Sequence, residues 1–351
     1  MKIAVGLSGG VDSTLTALLL KEQGHQVVGL TMALYNKDIP NLKVAGDACY
    51  GPSEKQDIKD VQAWCKKQGI EHHVINLSEA YKKTVLKYFR ETYLSGATPN
   101  PCIMCNAGMK FGLLIDEAQQ QVSFDAFATG HYARITKQSA GFVLQRGVDP
   151  KKDQSYFLYR LTQEQLSRTL FPLGIYTKQQ VREMAKDRGL EVANKPDSQD
   201  FYAGDYTDLL EVENKEGKIV LTNGKVLGKH NGFWHYTIGQ RKGLGIAYPE
   251  PLYVVDLDAK HNRVIVGTEA ETKRTSCDIV QPIFGVLAQN KKSFDCLVKY
   301  RSAGQLVPAL ITQTEPNLWH IEFETAQKSL TPGQSAVFYQ DDLVLGGGFI
   351  R

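Results

Sequence analysis

Residues 3–20 read IAVGLSGGVDSTLTALLL, and this stretch decides the fold. Its apolar start predicts a buried strand, its two adjacent glycines a tight turn, and its leucine-rich end a helix. Gly9 and Gly10 allow the backbone to turn sharply and to approach a ligand closely. The first amides of the helix then have no internal partner, an arrangement that suits phosphate oxygens. The stretch therefore predicts a phosphate-binding strand–loop–helix unit.

Polar side chains around this turn add ligand groups. Ser8 and Ser13 supply hydroxyl donors, and Asp12 supplies a carboxylate that can hold a magnesium ion. The loop lacks the Gly-Lys-Ser/Thr ending of the Walker motif, whose lysine contacts the terminal phosphates. The alternative is an ordinary strand-to-helix turn rich in small residues. The string SGGVDS, placed between a strand and a helix, favours the phosphate-binding interpretation.

The composition is that of a soluble globular protein with room for two or three domains. The chain has 351 residues, of which 42% are hydrophobic and 23% charged. We find no apolar run near the roughly 20 residues that span a bilayer, and no signal-peptide pattern. We therefore expect a cytoplasmic protein without membrane contact. The net charge of +3 is too small to indicate nucleic-acid binding, so any RNA contact must come from local patches.

The first part of the chain alternates strand and helix patterns. Strands are expected at 27–32 and 72–77 and just before His131, with helices at 54–68 and 79–94. This alternation predicts a doubly wound parallel sheet, an α/β fold, over residues 1–205. Ligands of such sheets bind at the carboxyl ends of the strands, where Ser8, Met32 and Gly130 fall.

The pattern changes after residue 205 to short strands separated by glycine and asparagine turns. One such strand is expected at Trp234–Thr237, within a small β-rich central domain over residues 206–270. Alternating apolar and polar residues then predict a C-terminal antiparallel β-barrel over residues 271–351.

Four further strings follow the first one in order: TPNPCIMCN at 98–106, ATGHY at 128–132, KDQSYFLY at 152–159 and YTIGQRKGLG at 236–245. Together with SGGVDS they closely resemble the tRNA-specific 2-thiouridylases, which belong to the ATP-pyrophosphatases. TPGQSAVFY at 331–339 and LGGG at 345–348 match that family too. The resemblance therefore covers nearly the whole chain, and it implies an adenine nucleotide α-hydrolase-like first domain and a tRNA-contacting barrel.

The activity implied by this resemblance is ATP-dependent replacement of the C2 oxygen of the wobble uridine, position 34, by sulfur. The family's substrates are tRNAs for Lys, Glu and Gln. A uracil carbonyl oxygen is a poor leaving group, so AMP is first transferred onto it, and a sulfur nucleophile then displaces AMP. The target base must leave its stack at a cost of a few kcal/mol, which a partly unstacked anticodon loop reduces.

The resemblance also implies site residues. For catalysis it points to Cys105, Cys102 and Asp12. For ATP, with Mg²⁺, it points to Gly6, Leu7, Ser8, Gly9, Gly10, Val11, Asp12, Ser13, Met32 and Gly130. For tRNA it points to Asn100, Pro101, Cys102, Lys152, Asp153, Gln154 and Arg301. His131 is interpreted as a buried histidine rather than a catalytic one.

The chain departs from the family pattern at its cysteines. Better-known members carry a second catalytic cysteine, which bears a persulfide, where this chain has Tyr202. This sequence instead has extra cysteines at Cys49 and Cys102, so the loop reads Cys-x-x-Cys with Cys105. One interpretation is a [4Fe-4S] cluster held by Cys49, Cys102 and Cys105, with one iron left to bind hydrosulfide. The others are metal-free persulfide chemistry between Cys102 and Cys105, with one carrying the persulfide and the other resolving it, and zinc or a plain structural role.

Two other functions remain open at this point. The same adenylation chemistry can act on a small-molecule carbonyl, or the chain can be a catalytically silent tRNA-binding paralogue. The full-length resemblance disfavours the first, and the intact SGGVDS string disfavours the second. The sulfur donor, either a donor protein or free sulfide, and the oligomeric state are not set by the sequence.

Overall fold

The computed structural model describes residues 1–35, 48–196, 200–202 and 204–351. Two parts of the sequence discussed above lie outside the described residues. They are residues 46 and 47, just before Cys49, and residues 197–199, just before Tyr202.

A five-stranded parallel sheet forms the centre of the first half of the chain. Its strands lie in the order Glu71–Asn76, Gln26–Ala33, Lys2–Gly6, Ala126–Ala128 and Thr169–Leu170. Each neighbouring pair is parallel. Ile3 and Val5 pack into one buried cluster while Ala4 packs into another, so both faces of the sheet are covered. This confirms the doubly wound parallel sheet, whose strands are buried on both sides.

Helices cover this sheet. The α-helices are Val11–Glu22, Glu54–Gln68, Ser78–Tyr81, Lys87–Leu94, Pro101–Met104, Leu114–Gln119, Gln163–Ser167, Lys178–Asp187 and Thr207–Leu210. The helix expected at 54–68 forms with those bounds and ends at Gly69, whose φ is +63°. The helix expected at 79–94 is interrupted by a π-helical segment, Lys82–Leu86. A second π-helical segment is Cys105–Leu113. Short 3₁₀ turns are Ser155–Phe157, Pro172–Ile175, Glu191–Asn194, Phe233–His235 and Ala270–Thr272.

The central region contains a four-stranded sheet. Its strands lie in the order Val226–His230, Gly217–Leu221, Arg263–Gly267 and Tyr253–Asp258. The strand expected at Trp234–Thr237 is wrong, because a 3₁₀ turn occupies Phe233–His235. The backbone N–H groups of His235 and Tyr236 donate to the carbonyls of Gly232 and Phe233 at 3.3 and 3.0 Å, within this turn. These two donors are therefore not available to a strand ladder.

The C-terminal region is a closed antiparallel barrel of six strands, which confirms the expected barrel. In ladder order the strands are Lys273–Phe284, Leu318–Lys328, Val307–Glu315, Ser293–Lys299, Ser335–Gln340 and Leu343–Ile350, and the last pairs with the first. A hairpin from the first half of the chain, Ala133–Gln138 and Gly141–Arg146, extends this sheet through Leu343 and Gln145. No described helix is long and apolar enough to cross a membrane.

Candidate active site

The phosphate loop, residues 7–10, enters the first helix through a tight turn. Gly9 has a φ of +77°, in the left-handed region that favours glycine. The Ser13 hydroxyl accepts a hydrogen bond from the Ser8 backbone N–H at 3.2 Å and donates to the Gly10 carbonyl at 3.1 Å. Within the described residues, no side chain caps the helix at Gly10. The amides of the first turn are therefore available to an anion.

Asp12 lies in this first turn, and its carboxylate has two partners. The Tyr132 hydroxyl donates to Oδ1 at 2.8 Å, and Lys178 Nζ donates to Oδ1 and Oδ2, both at 2.8 Å. The Lys178 side chain is only 10% exposed, and that of Asp12 29%. Mg²⁺ is usually held by one or two carboxylates together with substrate phosphates. Asp12 therefore fits a magnesium ion that arrives with a nucleotide.

Gly130 packs directly against the phosphate loop. A Cβ atom at this position would lie 2.7 Å from the Asp12 carbonyl carbon and 2.9 Å from the Ser13 backbone nitrogen. These distances are shorter than real Cβ contacts. Glycine is needed here because the end of one strand touches the first turn of the helix.

The remaining residues expected to bind ATP pack around the phosphate loop on the side of the protein core. Leu7 and Val11 are 4% and 2% exposed, so their side chains belong to the core and only their backbone can face a nucleotide. Leu7 is held by a hydrogen bond from its N–H to the Leu30 carbonyl at 2.7 Å. A Cβ at Gly6 would lie 3.1 Å from the Phe127 ring. Met32 is half-buried near the end of its strand.

The cysteine helix, residues 101–119, carries the Cys-x-x-Cys pair. Pro101 occupies its first turn, where the missing N–H costs nothing. The backbone N–H of the preceding Asn100 donates to the Tyr88 hydroxyl at 3.2 Å. Cys102 and Cys105 are both half-buried, and the π-helical segment begins at Cys105. Segments of π-helix occur frequently at functional sites.

Burial and charge act on the Cys105 thiol in opposite directions. Burial raises its pKa to about 11, and the charge of Lys110 opposes this increase. Lys110 Nζ donates to Asn106 Oδ1 at 3.2 Å, and Asn106 Nδ2 donates to the Phe157 carbonyl at 3.2 Å. The thiol is thus protonated at neutral pH in the protein alone, with a cation fixed nearby that favours its ionised form.

His131 links the phosphate loop to the cysteine helix. It follows Gly130 in the chain, and its ring centre lies 5.7 Å from that of Phe111 on the cysteine helix. Its Nδ1 is hydrogen bonded to Thr129 Oγ1 at 2.7 Å. Burial, and then the charge of Lys110, lower the pKa of His131 well below its usual value. The lowered pKa favours the neutral ring, which has one N–H donor and no charge.

The three cysteines Cys49, Cys102 and Cys105 all lie close enough to the buried Tyr81 to act electrostatically on its phenol. The pKa of this phenol is raised first by burial and then by negative charge on the three thiols. However, the described residues contain no group of three or more Cys, His, Asp or Glu arranged to hold a metal ion. In this conformation the thiols do not fit a cluster.

Cys49 lies beside the position at which the second family cysteine is missing. The strand Ala48–Tyr50 pairs in parallel with Asp200–Tyr202, with Tyr50 opposite Tyr202. Tyr202 is 1% exposed, and its hydroxyl donates to Asp208 Oδ2 at 2.8 Å. Burial, and then that hydrogen bond, raise the pKa of this phenol. Tyr202 is therefore a structural residue, whereas the neighbouring Cys49 is exposed.

The residues expected to contact tRNA differ in accessibility. The Asp153 side chain is 1% exposed and accepts hydrogen bonds from the backbone N–H groups of Gly147 and Ser155 at 3.0 and 3.1 Å. Gln154 Oε1 accepts from the Tyr132 backbone N–H at 2.9 Å. These two residues shape the turn that presents the half-buried Lys152.

Arg301 is exposed on the barrel, with its guanidinium carbon 5.5 Å from the Tyr300 ring centre. The next residue, Ser302, is also exposed.

Sequence reasoning missed Lys178, Tyr132 and Lys110. A signal for Lys178 existed: Thr177 and Gln180 form a capping box, which places Lys178 at the start of a helix on the carboxyl side of the sheet. Tyr132 is the last residue of the ATGHY string, which follows a strand ending at the same edge.

A doubly wound parallel sheet with an uncapped glycine loop at its carboxyl edge, joined to a closed barrel, defines a protein of the adenine nucleotide α-hydrolase-like class. Comparison with known proteins then identifies the family. A family model described as the tRNA methyl transferase HUP domain matches residues 1–202. Models of the tRNA methyl transferase PRC-barrel domain and the aminomethyltransferase beta-barrel domain match residues 209–268 and 274–350.

The chain belongs to the tRNA-specific 2-thiouridylase family. It is 48% identical to the tRNA-specific 2-thiouridylase MnmA of Endomicrobium trichonymphae, covering 100% of this chain and 99% of that protein. It is 44% identical to the protein of the same name from Herpetosiphon aurantiacus, covering 99% and 98%. A solved 4-thiouridine synthetase–RNA complex with bound ATP is 16% identical, with a TM-score of 0.38 over 60% of this chain and 45% of that chain.

Proposed function

We propose that this protein is a tRNA-uridine 2-sulfurtransferase that uses ATP to thiolate C2 of the wobble uridine, position 34. The observation that carries the proposal is the placement of an uncapped phosphate loop and a Cys-x-x-Cys helix at one edge of a parallel sheet, joined through His131. The relatives that match over the full chain are named for this activity. By family, the expected substrates are tRNAs for Lys, Glu and Gln.

The reaction has two balanced steps. The uridine C2 oxygen attacks the α-phosphorus of ATP, and pyrophosphate leaves toward the first-turn amides beside Ser8 and Ser13. A sulfur nucleophile then attacks C2, and the former carbonyl oxygen departs as part of AMP. Mg²⁺ held by Asp12 and the phosphates would neutralise phosphate charge during the first step. Cys105 is proposed as the thiol that delivers sulfur, and Lys110 favours its ionised form.

Cys49 is proposed as the second thiol, in place of the cysteine that this chain lacks at Tyr202. It lies on the strand that pairs with the Tyr202 strand, and its negative charge contributes to the raised pKa of Cys105. This placement supports metal-free persulfide chemistry between Cys49, Cys102 and Cys105.

A donor protein passes sulfane sulfur to Cys105 as a persulfide, whose terminal sulfur attacks C2 as AMP leaves. The Cys49 thiol then attacks the inner sulfur, which releases the 2-thiouridine and leaves a Cys49–Cys105 disulfide that a thiol reductant reopens. Where free sulfide is the source, hydrosulfide itself opens this disulfide into a Cys105 persulfide and a Cys49 thiol, so no external oxidant is needed.

A [4Fe-4S] cluster held by the same three cysteines is the second candidate for the sulfur source. It is supported by the electrostatic influence of all three thiols on the one phenol of Tyr81, and it requires them to move closer together than they are in this structure. Anaerobic purification with iron and sulfide analysis tests it. A colourless, iron-free and fully active protein would eliminate the cluster.

The tRNA is proposed to lie across the catalytic domain (1–205), the central domain (206–270) and the barrel (271–351), in the cytoplasm. Lys152 and Arg301 are proposed as phosphate contacts, because a lysine or arginine at the surface neutralises backbone charge without reading sequence. Asn100, Pro101 and Cys102 are proposed to grip the flipped base.

One assay separates the three functions considered. The protein is incubated with tRNA, ATP and sulfide without oxygen, and the nucleosides are analysed for 2-thiouridine. The proposal expects thiolation in wild type and its loss in Cys105→Ser and Cys49→Ser. AMP release without RNA would instead favour a small-molecule substrate, and tRNA binding without AMP release would favour a silent paralogue.

A further inference from the structure

The carboxylate of Asp12 creates an electrostatic problem in the nucleotide site. It lies in the same helix turn whose amides face the anion site. A negative charge in this turn repels a triphosphate bound at the same amides, unless a cation neutralises the charge. In this structure the cation is the ammonium of Lys178, which donates to both carboxylate oxygens at 2.8 Å.

Lys178 is held in place from several directions. It is the first residue of the helix Lys178–Asp187, and the residue is 8% exposed. Its backbone N–H donates to Asp149 Oδ2 at 3.0 Å, and its ammonium lies 5.6 Å from the Tyr132 ring centre. A lysine at the positive end of a helix disfavours that helix. The position of Lys178 is therefore not explained by the stability of its own helix.

We propose that Lys178 is a phosphate ligand of the nucleotide site, an inference that rests on the proposed ATP-dependent function. Without nucleotide, its ammonium neutralises Asp12. When a magnesium–triphosphate complex enters, the ammonium moves from the carboxylate to a phosphate oxygen, and Asp12 becomes available to the metal. Lysine suits this exchange because its ammonium is a compact charge with three rotatable donors on a flexible stem.

The test compares ATP with AMP in two backgrounds, wild type and Asp12→Asn. In Asp12→Asn no carboxylate needs neutralising, so a further loss of ATP affinity, but not AMP affinity, when Lys178→Met is added reports a direct phosphate contact. A lysine that only neutralises Asp12 would produce no further loss there.

Binding of each nucleotide with Mg²⁺ is measured by titration calorimetry for wild type and Lys178→Met, and for Asp12→Asn with and without Lys178→Met. In the wild-type background we expect Lys178→Met to bind ATP about tenfold to hundredfold more weakly, the range for a lost charge-assisted hydrogen bond, and AMP nearly unchanged. Lys178→Arg should recover most of the ATP affinity, since it retains the charge.

Lys186→Met is the matched control. It removes the same charge from the exposed end of the same helix, and it should change neither affinity. Thermal unfolding verifies that each variant is folded. If Lys178→Met does not fold, Lys178→Gln replaces it, because its amide can still donate to Asp12 without a charge.

The outcomes are distinct. Equal weakening of ATP and AMP, unchanged ATP affinity in the folded uncharged variant, or no further loss of ATP affinity in the Asp12→Asn background overturns the role of Lys178 and leaves the proposed function in place. A wild-type protein that binds no ATP overturns the proposed function, and the role of Lys178 with it.

Discussion

At the scale of the residue, the Cys105 thiol allows a direct chemical test. Burial raises its pKa to about 11, and only the thiolate reacts with alkylating agents. Roughly one molecule in ten thousand then carries the thiolate at pH 7. We predict that alkylation of Cys105 by iodoacetamide accelerates nearly tenfold for each pH unit between 7 and 10, as measured by mass spectrometry of its peptide.

The charge of Lys110 lowers the pKa of the Cys105 thiol and so opposes the effect of burial. Lys110→Met should therefore slow the alkylation of Cys105 at pH 8. The matched control is Lys83→Met, which removes an exposed charge from the other π-helical segment. A Cys105 alkylation rate that does not change between pH 7 and 9 would contradict the assignment.

Tyr202 gives a second test at the same scale. If sulfur chemistry does not pass through this position, Tyr202→Phe should retain thiolation within about twofold of wild type. The variant loses the hydrogen bond to Asp208, so the free energy of unfolding should fall by about 1 kcal/mol. Nucleoside analysis and urea unfolding measure the two effects. A large loss of thiolation with intact stability would show that the hydroxyl participates in the reaction.

At the scale of the element, the phosphate loop depends on one glycine from a neighbouring strand end. Gly130→Ala would place a methyl group against the backbone of Asp12 and Ser13. We expect the free energy of unfolding to fall by about 1–3 kcal/mol, the usual cost of overpacking. ATP affinity should fall as well, because the first turn of the helix must shift. Thermal unfolding and nucleotide titration measure the two changes.

Gly108→Ala is the control for this substitution. Gly108 lies in the interior of the cysteine helix, and a Cβ there would meet no atom within 4 Å. Because alanine favours helix over glycine by up to about 1 kcal/mol, the stability of this variant should stay equal or increase. If the Gly130→Ala protein is as stable as Gly108→Ala, then Gly130 does not pack closely against the backbone of Asp12 and Ser13.

Across the whole molecule, features set by residues close together in sequence were predictable, and contacts between residues far apart in sequence were not. The strand–loop–helix unit and the helix Glu54–Gln68 are set by local periodicity and glycine turns, so they were predictable. The Asp12–Lys178 pair joins residues 166 positions apart in sequence, and the hairpin Ala133–Gln138 and Gly141–Arg146 joins a distant barrel. No local pattern encodes such contacts. The burial of Asp153 was likewise invisible, because it depends on the turn that encloses it.

The barrel also holds the segment that leads into the cysteine helix. Gln334 Nε2 donates to the carbonyl oxygens of Thr98 and Pro99, both at 3.1 Å, and the Thr98 N–H donates to the Pro332 carbonyl at 2.8 Å. We predict that Gln334→Ala lowers the free energy of unfolding by about 1–3 kcal/mol, the value of two lost hydrogen bonds. It should slow 2-thiouridine formation without weakening ATP binding, because the phosphate loop lies outside these contacts.

The control for this prediction is Gln313→Ala, on the same barrel. Gln313 Nε2 donates to the Pro316 carbonyl at 3.3 Å, a bond confined to one turn. Both variants replace a glutamine by alanine. A difference in thiolation rate between them therefore measures the effect of the contact between Gln334 and the segment before Asn100. If both variants keep the wild-type thiolation rate, the barrel does not position the cysteine helix. If Gln334→Ala alone lowers that rate while its ATP affinity stays that of wild type, the barrel contributes to the reaction through Thr98 and Pro99, from outside the site where the nucleotide is proposed to bind.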